Sequence, residues 1–165
     1  MIPSDFKDFL LSHGADERAH SGLTLWSHLS GVHRILEAAK LPEYVCIAGL
    51  FHSVYGTRSF QPVTIEKTKR NEVAALIGNR AEAIAFAFCE LPRPNLFEFA
   101  LRNARAPTPT EIDRYSNGEL SDRFYQDLLA IECANLGEQR QIHEFPSLAR
   151  HAQKLGILDA EGFCI

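Results

Sequence analysis

The stretch TLWSHLSGVHRILEAAKLPEYVCIAGLFHSVYGT, residues 24–57, decides the fold. In its first half Leu25, Leu29, Val32 and Leu36 recur at offsets of four, three and four, which sets them on one face of a helix running to about Ala39. Thr24, or Ser21 a turn earlier, offers a hydroxyl to cap its start. Pro42 suits the first turn of a second helix. The body of that helix, Val45 to Val54, is apolar nearly all round and so belongs at the centre of the fold. Tyr55-Gly56-Thr57 marks its end, and Gln61-Pro62 closes the loop that follows.

Working outward, two further helices are expected, Ile65 to Ile77 and Arg80 to Leu91, separated by Gly78-Asn79 as a C-cap and a new N-cap. Pro92 and Pro94 stop the second. With Pro107, Pro109 and Asn117-Gly118 further on, residues 92–119 read as a loop or lid that could cover a pocket. An amphipathic helix from about Leu120 to Leu136 carries Phe124, Leu128 and Ile131 on one face, and Pro146 opens a last helix ending near Gly156. With no internal repeat and no alternation of strands with helices, the expectation is an all-α single domain over residues 1–165. Its core spans about 11–137, followed by a C-terminal helix and tail over 138–165.

Composition narrows the class. The 165 residues are 45% hydrophobic and 23% charged, as in an ordinary globular chain. A formal charge of −4 without a dense Lys/Arg run argues against nucleic acid as a partner. Residues 1–10 have no basic n-region or continuous apolar segment, and no apolar run reaches the ~18 residues of a membrane span, so a cytoplasmic protein is expected. Cys46, Cys89, Cys133 and Cys164 lie far apart with no CxxC and read as reduced, mostly buried thiols. The apolar end, Phe163-Cys164-Ile165, could pack against a second copy in a homo-oligomer.

Polar residues that interrupt apolar faces are the informative ones, because burying them costs free energy unless something pairs with them. His28 falls between Val32 and Ile35 on the inward face of the first helix. His52 shares a face with Val45, Ala48 and Gly49, and Asn135 continues the Phe124, Leu128, Ile131 stripe. One polar residue on each of three packing faces is how helical bundles assemble many metal sites, though each could instead be a separate hydrogen-bonded core residue.

The segments WSHLSGVHRIL around His28, AGLFHSVYGT around His52 and ECANL at 132–136 resemble the first His, the His-Asp pair and the final Asp of the HD-domain phosphohydrolases. Within that superfamily the likeness is greatest to the hydrolase domain of the guanosine tetraphosphate enzymes. Arg18, Ser21 and Gly22 resemble their R-x-SG approach, HSVYGT resembles their HDVxEDT, and NEVAALIGNRAEAIAFAF resembles their next two core helices. The resemblance covers roughly Leu11 to Leu136 and implies a metal-dependent hydrolase on a helical bundle.

The departures are chemical. Ser53 stands where the family's metal-binding Asp would be, Asn135 stands for the final Asp, and Tyr55-Gly56-Thr57 replaces the acidic pair. Two negative charges are thereby removed, which weakens affinity for a hard cation such as Mg²⁺. Zinc, iron or manganese remains the expected divalent metal, held by His28 and His52 with His20 as a third nitrogen donor. His20 is eight residues, or ~12 Å of helix, from His28, so it reaches only if the helix begins after it. His33 lies ~140° around the helix from His28, and His13, His143 and His151 sit in polar contexts that predict solvated rings.

His52, Ser53 and Tyr55 form the candidate catalytic set, and Arg18, Arg58 and Asn135 the candidate substrate-binding set. The expected function is hydrolysis of a small anionic molecule, phosphorylated ones included. The alternative is a metal-free protein that binds a small molecule or performs acid/base chemistry in a biosynthetic pathway.

Overall fold

The computed structural model describes residues 1–17, 24–57, 63–104 and 122–165, together with the backbone of 19, 20 and 23. Among them are eight α-helices: α1 Ser4–Ser12, α2 Leu25–Ala38, α3 Glu43–Phe51, α4 Arg70–Ile77, α5 Asn79–Glu90, α6 Asn95–Arg102, α7 Asp122–Glu138 and α8 Pro146–Lys154. Two-residue strands, β1 Ala19–His20 and β2 Leu23–Thr24, pair antiparallel just before α2. The class is all-α, and among the described residues no helix is long and apolar enough to cross a membrane.

Helix α2 starts where the cap residue places it. Thr24 is extended, at ψ 156°, and its hydroxyl accepts from the Ser27 amide at 3.2 Å. The face of α2 carrying Leu25, His28, Leu29, Val32, Ile35 and Leu36 is buried against α3 and α7. Helix α3 is the central element, packed on α2, α5 and α7, as its all-round apolar sequence requires.

Helix α3 ends at Phe51 rather than Val54, because the His52 ring bonds back to the Gly49 carbonyl at 2.6 Å and so satisfies a carbonyl at the helix end. Pro42 is the cap residue before this helix and not part of its first turn, since its ψ of 143° is not helical. The α2–α3 approach depends on Gly49. A Cβ there would lie 2.4 Å from Leu36 Cδ1 and 3.4 Å from Val32 Cγ1. Gly49→Ala is therefore expected to cost about 1–3 kcal/mol through overpacking, read as a lower urea midpoint at unchanged m-value.

Between α4 and α5, Gly78 alone both ends one helix and precedes the next, at φ 87°, so Asn79 is the first helical residue rather than an N-cap. The expected start at Ile65 is replaced by a 3₁₀ turn, Lys67–Lys69, ahead of α4.

Two elements were not legible. Helix α1 buries Phe6 and Leu10, with the Phe6 ring edge-on to Phe51 at 5.9 Å. Helix α6 lies inside the stretch expected to be loop. It buries Phe97 and Ala100, and both oxygens of Glu98 accept from the amides of Ser147 and Leu148, capping α8 from a distant part of the chain. The loop expectation is thus corrected for 95–102, while 105–119 lie outside the described residues.

Candidate functional site

The fold brings His28 and His52 together. His28 projects from the middle of α2 and His52 directly follows α3, and they are 1% and 0% exposed. Their Nε2 atoms face each other at 3.1 Å, the rings nearly perpendicular at 71°. Each Nδ1 is tied elsewhere, that of His28 to Glu138 Oε2 at 2.5 Å and that of His52 to the Gly49 carbonyl at 2.6 Å. Phe88 packs edge-on against His52 at 5.1 Å, and the Cys89 thiol donates to the His52 carbonyl oxygen at 3.1 Å.

These partners assign the ring protons. A carbonyl can only accept, so His52 carries its hydrogen on Nδ1 and has a lone pair on Nε2. An ionised Glu138 likewise calls for a hydrogen on His28 Nδ1. Two neutral rings would then aim lone pairs at each other across 3.1 Å, which is repulsive. The repulsion is relieved by a proton on one Nε2 donated to the other, or by a cation that accepts both lone pairs.

Glu138 is the partner of the histidine pair that sequence reasoning missed. It sits three residues after Asn135 and continues the stripe of Leu128, Ile131 and Asn135 at offsets of three, four and three, which was the available signal. Its stem lies across α2 at Gly31, where a Cβ would come within 3.0 Å of Glu138 Cγ.

The other expected residues divide. Asn135 and Ser53 are buried, at 4% and 2% exposure. The Tyr55 hydroxyl donates to Glu82 at 3.0 Å, and Glu82 is gripped by Arg70 through two bonds of 2.6 and 2.8 Å. Burial first, and then the Glu82 charge, push the Tyr55 phenol up from its ordinary range. Tyr55 therefore belongs to a buried ion-pair network, with Arg70 stacked 3.6 Å over Phe86.

Arg18 and Arg58 lie outside the described residues, as does the Ser21-Gly22 break. His20 is described only as backbone in β1, so α2 does begin after it, as its candidacy required. Among the other histidines His33 is buried, with no hydrogen-bond partner for Nδ1 among the described residues. His151 is half-buried rather than solvated, and burial lowers the pKa of both. His13 is partly buried, with its ring tilted against Phe9 at 4.5 Å, while His143 is exposed.

For a divalent metal, the described residues supply two imidazole nitrogens whose other ring nitrogens are held by a carboxylate and a backbone carbonyl. That outer arrangement is the usual one for metal-ligating histidines. No group of three or more His, Cys, Asp or Glu side chains is gathered for a metal among the described residues.

A separate buried charge flanks the site. Arg93 lies 3.8 Å over the Phe88 ring and donates to Glu132 Oε2 at 3.0 Å. Burial raises the pKa of the Glu132 carboxyl, with Arg93 and, less strongly, Asn135 pulling the other way.

No curated protein and no solved structure matches the chain. Residues 9–93, just over half of the chain, match the family described as Domain of unknown function (DUF6817), a stretch that holds both histidines of the pair but not α7. The chain belongs to the DUF6817 family.

Proposed function

We propose that this chain is a divergent relative of the HD-domain phosphohydrolases, a cytoplasmic enzyme that hydrolyses a small anionic molecule at a pocket around His28 and His52. One observation carries the reading: the two Nε2 atoms converge at 3.1 Å while both Nδ1 atoms are committed to outer partners. His28 and His52 are the residues that would hold a metal, with His20 as the third nitrogen donor, while Ser53 and Asn135 stand as neutral groups where the resembled family has metal-binding Asp residues.

When bound, the metal would supply a Lewis acid that lowers the pKa of a coordinated water. With Ser53 and Asn135 neutral, zinc or iron suits the donors better than Mg²⁺, and manganese stands between them. The chain's own part is positioning. Glu138 accepts the His28 Nδ1 hydrogen, which fixes the ring and its tautomer, and the Gly49 carbonyl does the same for His52. Four unpaired cysteines agree with a reducing compartment.

A second reading has its own support in the two-imidazole donor set. If a proton rather than a metal lies between the rings, then Glu138, His28 and His52 form a carboxylate–imidazole–imidazole relay suited to acid/base chemistry.

Metal content by plasma mass spectrometry, on protein purified without a polyhistidine tag, separates the two readings. Near-stoichiometric zinc, iron or manganese is expected, and Glu138→Gln should weaken metal affinity by about 10–100-fold. A wild-type protein that stays metal-free after incubation with each ion would overturn the metal reading and leave the proton relay.

A further inference from the structure

Beside Glu138, the turn after α7 and the C-terminal segment line a pocket of about 580 Å³. Its volume is in the range of small-molecule sites. The side chains lining it are of three kinds. Ile142, Phe163 and Cys164 are apolar, Arg140 and His143 are cationic or hydrogen-bond donors, and Glu138 is the carboxylate that already holds His28.

Glu138 is hydrogen-bonded to the His28 ring, whereas Arg140 forms no ion pair among the described residues. Arg140 also occupies an unusual backbone place. At φ 59° it closes α7, with its own amide on the Gly137 carbonyl and the Gln141 amide on that of Leu136. That closing position favours glycine, so an arginine there carries backbone strain.

We infer that this pocket is a second ligand site, for a small anion with an apolar body, its charged end on Arg140 and His143 and its body against Ile142 and Phe163. A guanidinium beside a donor imidazole suits a phosphonate, phosphate or carboxylate, and the apolar wall selects against the bare inorganic ion. Because Glu138 is both a wall of this pocket and the partner of His28, an occupant adjoins the carboxylate that orients that ring. The binding itself does not depend on the reaction proposed above.

The test is a titration of the full chain with phenylphosphonate, which has the ring and the anion but no hydrolysable ester, followed by ¹H–¹⁵N correlation spectra. The amides of Gly137 and Gly162, which line the pocket, are expected to shift and saturate together, and inorganic phosphate to shift them far less. Arg140→Gly should relieve the backbone strain, leaving the melting temperature equal or higher, while weakening binding at least about tenfold. His52→Ala should bind as the wild type does. The proposal fails if the two glycines do not move, or if Arg140→Gly titrates like the wild type. It also fails if the shifts centre on His28 and His52 and vanish in His52→Ala.

Discussion

Arg93→Met is expected to lose roughly 3–5 kcal/mol of stability at neutral pH, a large share of the ~5–15 kcal/mol of a typical domain. The methionine keeps most of the stem over Phe88 but leaves Glu132 fully buried without its cation. The neutral Asn135 side chain remains beside the carboxyl, but it brings no charge to replace the guanidinium.

The pH dependence has a definite sign. Burial raises the folded-state pKa of Glu132 above its unfolded value, and Arg93 opposes the rise. A carboxyl raised in this way holds its proton more tightly when folded, so stability falls as pH climbs from the unfolded pKa to the folded one. Without Arg93 that window widens and the loss deepens. Urea unfolding should therefore show the variant's deficit shrinking as pH falls towards ~3, below the unfolded pKa, where the carboxyl is protonated in both states. An equal deficit at both ends of that range would count against an unpaired carboxylate as the cause.

His52→Ala is expected to abolish turnover and metal retention while leaving the helical circular dichroism largely intact. The effect should exceed the ~10–100-fold expected for the outer partner Glu138, because the substitution deletes one of the two facing nitrogens rather than a group that orients one. The ring also fills space beside Phe88, so a loss of about 2–3 kcal/mol from the cavity should accompany it. His151→Ala serves as the control, since that half-buried ring on α8 is not among the contacts of the pair. A His52→Ala protein that loses its helix content along with its metal would make His52 a core residue and nothing more.

The central helices were legible because their apolar residues recur over several turns. The α2 face and its Thr24 cap, the all-apolar α3 and the stripe of α7 each follow from spacing alone. Polar residues breaking those faces pointed to His28, His52 and Asn135, and all three are buried. Helix α6 was hidden because Pro92 and Pro94 suggest a loop, while its eight residues hold too few turns for a period to stand out.

Glu138 was hidden for a different reason. A charged residue in the last turn of a helix ordinarily points into solvent, and only the packing of α7 on α2 turns this one onto an imidazole. Tyr55 has a partner of the same kind. It sits one turn from His52 in sequence, and the pairing of its hydroxyl with Glu82, held in turn by Arg70, has no local sequence signal.

The family likeness ends at residue 93, and the carboxylates that pair with His28 and Arg93 lie later in the chain. His28 finds its carboxylate at 138 and Arg93 finds its own at 132, both on α7. The edge of the shared region is therefore no seam along which the protein could be divided. An excised piece spanning 9–93 would carry His28 without its carboxylate and an orphaned guanidinium. Inheritance and folding autonomy part company here: what defines kinship is the first half, and what makes that half a working body is the helix supplied by the second.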